Sequence, residues 1–314
     1  MRTAAAVVLA FAALALVACG KSDGAGAASV VALPPAAAGL GPATATVAAA
    51  GDIACAPGEP ATADGCQHAA TARLVRRLNP ATVLALGDLQ YGSSSLAEFQ
   101  GSYSPTWGTF KARTLPIVGN HEYGTADAAG YFGYWGAQAG ARGAGWYART
   151  VGGWRVIALN SNCGQVGGCG PGSPQYAWLA RELRTHRARC TLAMWHHPRF
   201  SSGEHGSDPI TAPLWAALAR AGTDVILSGH DHDYERFAPQ TSTGQPRAAG
   251  PREFVVGTGG RSSYEFLSRA RNSVVRRTHT FGVLALTLHQ RGYAWSFARA
   301  AGAPAADRGQ AACR

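Results

Sequence analysis

The residues of this chain that could do chemistry follow directly after apolar runs. The clearest example lies at 224–236, where a β-branched run at 225–227 predicts a buried strand. Gly229 lets the backbone leave that strand sharply, and His230 and His232 come next. Histidines two residues apart on an extended turn can direct both imidazoles into one cleft, and neutral imidazole is a ligand for Zn, Fe and Mn. An isolated pair of this kind is equally typical of a polar surface loop.

The same arrangement recurs along the chain, which favours a shared site. Apolar runs at 46–50, 82–86, 115–118 and 190–195 are each followed by oxygen or imidazole donors. Because sites in open α/β sheets form beyond the carboxyl ends of the strands, we expect these side chains to gather there. The donors are Asp52, Asp88 with Tyr91, Asn120 with His121, His196, and His230 with His232. A Gly-Asp turn alone carries little information, but five such strand ends predict a metal site.

Further periodic runs give the elements that hold this site. Strands are predicted at 154–159, 253–256, 282–288 and 293–298, the last two joined as a hairpin through 290–292. Helices are predicted at 71–78, 95–103, 174–186 and 212–221. The aromatic, glycine-rich segment 131–147 is predicted to be a loop. The donor residues therefore stand at the ends of strands rather than within helices.

The order of the motifs resembles that of the calcineurin-like metallophosphoesterases, and most closely their purple acid phosphatase branch. It runs Gly-Asp, Gly-Asp-x-x-Tyr, Gly-Asn-His-Glu, His-x-Pro and Gly-His-x-His within residues 51–236. The resemblance implies an α/β fold over residues 45–314, namely a calcineurin-like four-layer αββα sandwich with two mixed β-sheets.

The resemblance also implies two metal ions that share the carboxylate of Asp88. One ion would be completed by Asp52, Tyr91 and His232, and the other by Asn120, His196 and His230. Many relatives carry a ligand histidine two residues after the first aspartate, where this chain has Ala54, and Tyr91 can replace it. A phenolate is a hard oxygen donor suited to Fe(III), so we expect Fe(III) paired with Zn, Mn or Fe(II).

By the same resemblance, the expected activity is hydrolysis of phosphate monoesters by attack of a metal-bound hydroxide. Phosphodiesterase or nucleotidase activity at the same site stays open, since the segment 131–147 could stack a base or belong to the core. A catalytically silent surface binding protein on the same fold is the alternative from another class. The expected partner is thus a phosphate ester, with its identity and the oligomeric state left open.

Residues beside the ligands have candidate roles in substrate binding and proton transfer. By the resemblance, Asn120 and His121 contact the phosphate. His121 is also the first candidate proton donor to the leaving group, with Glu122 holding its imidazole. His205 is the second candidate donor, and its alternative is an exposed loop residue.

Three other polar groups near the motifs are ambiguous. Arg199 either clamps phosphate bidentately or is a surface arginine. His197 is expected to pack structurally rather than to bind metal. The stretch 234–236 is expected to brace the loop that carries the two motif histidines.

The first residues predict export. Arg2 precedes an apolar run at 4–17, which is typical of a secretory signal peptide at 1–18 and too short to span a membrane comfortably. The segment 16–20 (LVACG) resembles the lipobox of bacterial lipoproteins, in which Cys19 is lipidated; a plain cleaved signal is the alternative. Residues 19–44 have the composition of a flexible linker. We expect a membrane-anchored lipoprotein of the bacterial cell envelope, or a secreted protein.

Cysteine usage agrees with export. Seven cysteines are present, and setting Cys19 aside leaves an even number, which in an exported chain suggests disulfides. Sequence alone leaves the pairing open. We prefer Cys55–Cys66 and Cys163–Cys169, which each bracket a short Gly/Pro-rich loop, with Cys190–Cys313 as the third pair. The spacings match no zinc finger or ribbon.

Composition argues against a dedicated nucleic-acid-binding role. The chain has 314 residues, is 46% apolar and carries a formal net charge of +10, almost entirely from arginine. The basic residues are scattered, so we expect them to be solvated surface with at most a mild pull on anionic substrates. No nucleic-acid partner is expected.

Overall fold

The computed structural model describes residues 39–300 and 305–314. The predicted signal peptide, the predicted lipidation site Cys19 and most of the predicted linker lie outside the described residues. The end of that linker is ordered as a strand, because the first strand begins at Ala43. Among residues 39–300 and 305–314, no helix combines the length and the apolar character needed to cross a membrane.

Two mixed β-sheets form the centre of the described domain. In chain order the strands are β1 Ala43–Ala50, β2 Thr82–Leu86, β3 Thr114–Ile117, β4 Tyr147–Val151, β5 Trp154–Ala158, β6 Thr191–Met194, β7 Val225–Ser228, β8 Tyr234–Phe237, β9 Arg252–Val256, β10 Ser273–Arg277, β11 Gly282–His289, β12 Gly292–Arg299 and β13 Asp307–Ala312. The first sheet has the order β13-β12-β11-β1-β2-β3, and the second β10-β8-β9-β7-β6-β5-β4.

The parallel strands bring the predicted donors together. In the first sheet β1, β2 and β3 run parallel, and in the second β5, β6, β7 and β9 do so. Parallel strands end at the same edge of a sheet, so the residues that follow β1, β2 and β3 are neighbours, as are those that follow β6 and β7.

Successive side chains along the strands of the second sheet pack into two different apolar clusters, one on each face of the sheet. On β6, Leu192 and Met194 belong to an apolar cluster that both sheets share, whereas Ala193 belongs to a second cluster. Strand β7 repeats this pattern, with Ile226 in the second cluster. Successive side chains of a strand point to opposite faces, so both faces of this sheet are buried. That burial accounts for the continuous apolar runs in the sequence.

Helices pack on the sheets. They are α1 His68–Leu78, α2 Leu96–Glu98, α3 Ala129–Trp135, α4 Pro174–Thr185 and α5 Ala212–Arg220, with 3₁₀ segments at Trp107–Arg113, His121–Gly124, Ala126–Ala128, Gly136–Ala139, Cys163–Gln165 and Pro209–Thr211 and a π-helical turn at Phe99–Tyr103. Helix α1 contacts β11 and β12, while α4 and α5 contact each other. Leu179 of α4 and Leu214 of α5 both join the second cluster. The fold is therefore the predicted four-layer αββα sandwich.

The prediction of a loop at 131–147 was wrong. The segment contains most of α3 and the start of β4, and the rings of Tyr131, Phe132, Tyr134 and Trp135 are buried. The glycines suggested a loop, but the aromatic side chains bury enough apolar surface to fix a helix. The single helix predicted at 95–103 is also interrupted, because α2 ends at Glu98 and continues as the π-helical turn.

Strands β4, β8, β10 and β13 were missed by the sequence-based prediction. Three of them, β4, β10 and β13, lie at sheet edges. Edge strands are partly exposed and lack a continuous apolar run, as the alternating burial of Asp307–Ala312 illustrates. Pairing with a neighbouring strand, which local sequence does not encode, decides their conformation.

The three predicted disulfides are present in the structure. They join Cys55 to Cys66, Cys163 to Cys169 and Cys190 to Cys313. The last connects the start of β6 in one sheet to the end of β13 in the other.

Candidate metal centre

The local backbone at the strand ends is unusual in three places. Asp52, Asp88 and His230 all have positive φ, at 59°, 48° and 72°. This conformation is costly for residues with a side chain and is found mainly where surrounding structure enforces it, often at functional sites. It turns each side chain away from the path of its strand and into the space between the two sheets' ends.

Two glycines allow these ends to approach one another. A Cβ atom on Gly119 would lie 2.1 Å from Asp88 Oδ1, and one on Gly229 would lie 2.6 Å from Asp52 Oδ2. Any larger residue would push the carboxylates out of place. The glycines of the Gly-Asn-His and Gly-His motifs thus serve the packing of the site.

One half of the donor cluster is rich in oxygen. The Tyr91 hydroxyl lies 3.0 Å from Asp52 Oδ1 and 3.2 Å from Asp88 Oδ2. It also lies 2.9 Å from His232 Nε2, which is in turn 3.4 Å from Asp52 Oδ1. All four side chains are buried. We call Asp52, Tyr91 and His232 the oxygen-rich half.

The other half is rich in imidazole. His196 Nε2 lies 3.1 Å from Asn120 Oδ1 and 3.3 Å from Asp88 Oδ2. Asp88, His196 and His230 each offer a donor atom within 4.8 Å of the others, a spacing suited to a metal ion. We call Asn120, His196 and His230 the imidazole-rich half. Asp88 contacts members of both halves through Oδ2, as a shared carboxylate requires.

The donor set fits metal ions. Seven predicted ligands converge, and they comprise carboxylate, phenol, amide and imidazole groups without a thiol. Hard oxygen and borderline nitrogen donors suit iron, zinc and manganese. Burying two carboxylates this close together is costly unless positive charge lies between or beside them. Tyr91, which was expected to replace a ligand histidine absent at Ala54, lies in the same cluster.

Attraction between Asp88 and His196 shifts the pKa of both side chains toward their charged forms. Burial disfavours the charge on Asp88, but the adjacent His196 outweighs it and holds the pKa of Asp88 well below its usual range. Burial would likewise lower the pKa of His196, yet Asp88 and Asp52 raise it to about 10. The metal-free cluster therefore contains a buried aspartate–imidazolium pair, and a metal ion would displace the imidazolium proton.

His230 in the imidazole-rich half and Tyr91 in the oxygen-rich half are both neutral without metal, but only Tyr91 has to lose a proton in order to bind as phenolate. Burial, with the adjacent His196 and His197, lowers the pKa of His230 far below its usual value, so this imidazole is already neutral. Burial, with Asp52 and Asp88, raises the pKa of Tyr91 well above its usual value, so the phenol keeps its proton until a cation is present.

Backbone carbonyl and hydroxyl oxygens orient two of the imidazoles. His196 Nδ1 lies 2.8 Å from the Leu86 carbonyl oxygen, and His232 Nδ1 lies 2.7 Å from Ser262 Oγ. The His232 ring also stacks on Tyr264, with centroids 3.9 Å apart and 4° between the planes. In both cases Nε2 is left to face the donor cluster. Ser262 and Tyr264 were missed because they follow β9, where the sequence carries no motif.

The expectation that Glu122 holds the imidazole of His121 was wrong. Its carboxylate is fully buried and accepts hydrogen bonds from the backbone N–H groups of Asp88, Leu89 and Gly119 at 2.9, 2.8 and 2.6 Å. Burial and the charge of Asp88 raise the pKa of Glu122 to about 8 despite these donors. Glu122 thus fixes the turns that carry Asp88 and Asn120, which is a structural role.

The two candidate proton donors line the site. His121 donates its backbone N–H to Asp88 Oδ1 at 2.8 Å, and its ring lies 4.3 Å from that of Tyr91. The His205 ring lies 4.1 Å from that of His230. Both side chains are 43% exposed, so both can meet a substrate that enters from solvent.

The structure places Arg199 and His197 in supporting positions. Arg199 Nε donates to the Ser242 carbonyl at 3.1 Å and its guanidinium stacks on Phe200, so these contacts do not support a phosphate clamp. His197 Nδ1 bonds to Ser161 Oγ at 2.8 Å, and burial with the adjacent His196 lowers its pKa to about 3. His197 packs against the cluster, as expected from the sequence.

Mixed oxygen and imidazole donors at the strand ends of a two-sheet sandwich define a metallophosphoesterase-type domain. The family model for calcineurin-like phosphoesterases matches residues 45–234, and the chain belongs to that family.

Similar proteins place the chain near the purple acid phosphatases. It is 27% identical over 200 residues to probable purple acid phosphatase 20 of Arabidopsis thaliana, which covers 55% of this chain and 44% of the relative. The structure of a purple acid phosphatase from yellow lupin seeds superposes with a TM-score of 0.66 at 20% identity, over 85% of this chain and 53% of that one. The chain thus spans about half the length of these relatives.

The fold is also shared with a protein of another kind. GAP50, the anchor in the inner membrane complex of Plasmodium, superposes with a TM-score of 0.59 at 14% identity, over 86% of this chain and 89% of that one. This likeness concerns the fold alone, so the activity of the present chain has to be argued from its own residues.

Proposed function

We propose that this protein is a metal-dependent phosphatase that hydrolyses phosphate monoesters at a dinuclear centre. The observation that carries the proposal is the position of Asp88, whose Oδ2 lies 3.2 Å from the Tyr91 hydroxyl and 3.3 Å from His196 Nε2. One carboxylate that serves an oxygen-rich and an imidazole-rich half is what two adjacent cations need.

The ligands proposed for the two ions are the two halves of the cluster. The oxygen-rich half would take the harder ion, Fe(III), because a phenolate is a hard donor. The imidazole-rich half would take Zn, Mn or Fe(II). When bound, such a pair neutralises charge on the phosphoryl oxygens and acidifies water for attack on phosphorus.

The remaining roles belong to side chains at the rim. His121 Nε2 lies 3.9 Å from Asp88 Oδ2, so this imidazole is placed to hydrogen-bond a phosphoryl oxygen at the centre. The Asn120 amide is proposed both to bind metal and to meet the phosphate. Hydrolysis breaks the bond between phosphorus and the leaving oxygen, and that oxygen then needs a proton. His205, whose ring lies beside His230, is proposed to supply it.

The position of most aromatic residues in the segment 131–147 favours phosphate monoesters that do not need a stacked base. Tyr131, Phe132, Tyr134 and Trp135 are buried in the shared core. These four rings cannot stack a base, which leaves the half-buried Trp146 as the aromatic side chain of the segment that a base could meet. A phosphodiesterase on the same donors is the outcome that would replace the monoesterase.

The experiment is metal analysis with turnover of p-nitrophenyl phosphate and of its bis-ester. About two metal ions per chain, preference for the monoester, and loss of metal and turnover in Asp88→Asn are expected. Asp64→Asn, which changes an aspartate with an 81% exposed side chain, is the control. Preference for the bis-ester would replace monoesterase by diesterase. Metal-free, inactive protein that resists reconstitution would favour the silent binding protein.

The metal identities have a spectroscopic test of their own. A visible tyrosinate-to-Fe(III) band that disappears in Tyr91→Phe is expected. Two metals without colour would keep the phosphoesterase and remove the assignment of Fe(III) to the oxygen-rich half.

Anchoring through lipid on Cys19 is part of the proposal. It is supported by the lipobox-like segment at 16–20 and by the three disulfides, which are typical of proteins in oxidising compartments. Cys19→Ser is expected to move the protein from the membrane pellet to the soluble fraction of bacterial cells. Unchanged partition would exclude the lipid anchor.

A further inference from the structure

Asp231 stands between His230 and His232 in sequence, but its side chain belongs to a different set of contacts. It is fully buried and accepts hydrogen bonds from the Ser201 hydroxyl and from the backbone N–H of His205, the latter at 2.9 Å. Its Oδ1 also lies 3.1 Å from His205 Nδ1. Asp231 therefore hydrogen-bonds both the backbone N–H and the ring of His205.

The contact at Nδ1 determines which nitrogen of His205 faces the site. A carboxylate accepts but does not donate, so the proton facing Asp231 belongs to Nδ1. In the described part of the chain, Nε2 of His205 has no hydrogen-bond partner, and the ring is 43% exposed beside His230. The ring thus presents Nε2 toward the substrate side.

The loop that carries His205 is built around this contact. A Cβ atom on Gly203 would lie 2.6 Å from Asp231 Cγ, so only glycine lets the loop approach the carboxylate so closely. The Gly203 N–H donates to Ser201 Oγ at 3.0 Å, and that hydroxyl donates to Asp231. Loop and ring are therefore positioned by one buried acid.

His121 lacks an equivalent arrangement. Its ring nitrogen Nε2 lies 3.9 Å from Asp88 Oδ2, which belongs to the metal centre itself. Within residues 39–300 and 305–314, a carboxylate contacts Nδ1 of His205, and none contacts Nδ1 of His121. The two rings are thus set up for different tasks.

We propose that Asp231 is the positioning residue that fixes the tautomer and the orientation of His205, and that this pair delivers the proton to the leaving-group oxygen. The proposal rests on the proposed phosphatase function, including His205 as its proton donor, and adds the residue that positions that donor. The donor form of His205 is the imidazolium, which carries a proton on each ring nitrogen, and as the bond from phosphorus to the ester oxygen breaks, the proton on Nε2 passes to that oxygen. The imidazole keeps its Nδ1 proton toward Asp231 and regains the lost proton from water.

Proton donation matters most for esters whose leaving group is a strong base. An alkoxide cannot leave unprotonated, whereas p-nitrophenolate can. Asp231→Asn is therefore expected to lower kcat on glycerol phosphate by roughly 10²-fold or more, the usual range for loss of general acid catalysis. On p-nitrophenyl phosphate the loss should be less than about tenfold, with KM little changed on either ester.

Asp233→Asn is the matched control. Asp233 is a fully buried acid two residues further on, and burial with the charges of Asp231 and Glu235 raises its pKa well above the usual range. Its oxygens have no hydrogen-bond partner among the described residues. The same chemical change at the same turn therefore leaves the His205 contact intact. This variant should show no difference between the two esters.

A second readout does not depend on turnover. In zinc-loaded protein, the ¹⁵N shifts of the His205 ring should report a proton on Nδ1. In Asp231→Asn, whose amide N–H can face Nδ1, the proton should move to Nε2. Metal content should match that of Asp233→Asn.

The outcomes separate the two proposals. An equal loss on both esters, an unchanged tautomer, or metal loss in Asp231→Asn alone would each overturn the positioning role and leave the phosphatase standing. A wild-type protein that hydrolyses neither ester would overturn the proposed function. His205→Ala gives the reference loss, and the double variant with Asp231→Asn should lose no more than it does.

Discussion

The two halves of the donor cluster differ in donor type and in the proton that each holds without metal. In the oxygen-rich half, burial and two aspartates keep Tyr91 protonated. In the imidazole-rich half, burial and neighbouring histidines keep His230 neutral and ready to bind. Each half therefore contains one group that must lose a proton to a cation, namely Tyr91 in the first and His196 in the second, whereas His230 is neutral already. The comparison separates a half in which a cation must ionise a buried phenol from a half in which it must displace the proton of a buried imidazolium.

Removing a ligand from one half should produce the largest effect. Asp52→Asn takes the charge from the oxygen-rich half alone, and its amide oxygen can still accept the hydrogen bond that the backbone N–H of His230 donates to Asp52 Oδ2 at 2.9 Å. We expect metal content to fall from about two ions to one, and turnover to fall by about 10³-fold, the scale for loss of a main electrostatic stabiliser.

His230→Gln is the counterpart in the imidazole-rich half and should also leave one ion, but retain any Fe(III) colour. Retention of two ions in Asp52→Asn would show that Asp52 is not a required ligand, whereas loss of both ions in either variant would show that the halves are not independent sites.

A smaller effect is expected from the support of His232. Ser262→Ala removes the oxygen that holds His232 Nδ1 at 2.7 Å, and loss of such a contact typically weakens metal binding 10–100-fold. Chelator competition should show weaker binding at the oxygen-rich half and unchanged binding at the other. Ser263→Ala is the control, because Ser263 Oγ bonds to Thr278 and to the backbone of His279 instead. Equal weakening of metal binding at both halves in Ser262→Ala would contradict the assignment of His232 to the oxygen-rich half alone.

The smallest effect concerns stability and the imidazole-rich half. Glu253 is fully buried and accepts from the backbone N–H groups of Arg199 and Phe200 at 3.0 and 3.1 Å, beyond the strand that delivers His196. Burial raises the pKa of Glu253 to about 8 despite these bonds. The folded state therefore keeps a proton that the unfolded chain releases near pH 4.5, and stability should fall as pH rises through 8.

Urea unfolding of metal-free protein measures this slope. Glu253→Gln should reduce the loss of stability between pH 5 and pH 8 by on the order of 1–3 kcal/mol, since one pKa unit is worth about 1.4 kcal/mol. Glu204→Gln, at an exposed loop residue, should leave the slope unchanged. The same slope in Glu253→Gln as in the wild type would refute the assignment.

Sequence was sufficient to predict which donor side chains meet at the strand ends and insufficient for what surrounds them. Asp52, Asp88 and His196 each follow a buried strand, and the order of parallel strands alone brings such residues together. Ser262 and Asp231 could not be assigned in this way, since their roles depend on which loops meet in space. Glu122 shows the same limit, because the residue was recognised but its partners are backbone groups of two other turns.

The fold shows a parallel contrast. The central strands were predicted from apolar runs because both of their faces are buried. The edge strands β10 and β13 and the helix Ala129–Trp135 were not, since pairing at an edge and packing of aromatic rings override a polar or glycine-rich local sequence.

The disulfide between Cys190 and Cys313 closes a covalent ring over the chain segment that contains His196, His230 and His232. Its sequence separation is 123 residues. If a protease cuts a single exposed loop between Cys190 and Cys313, the disulfide still joins the two resulting fragments. In an environment rich in proteases, a nicked molecule would migrate as one particle and separate only after reduction. Damage to a loop between the strands would thus not by itself release half of the donor cluster.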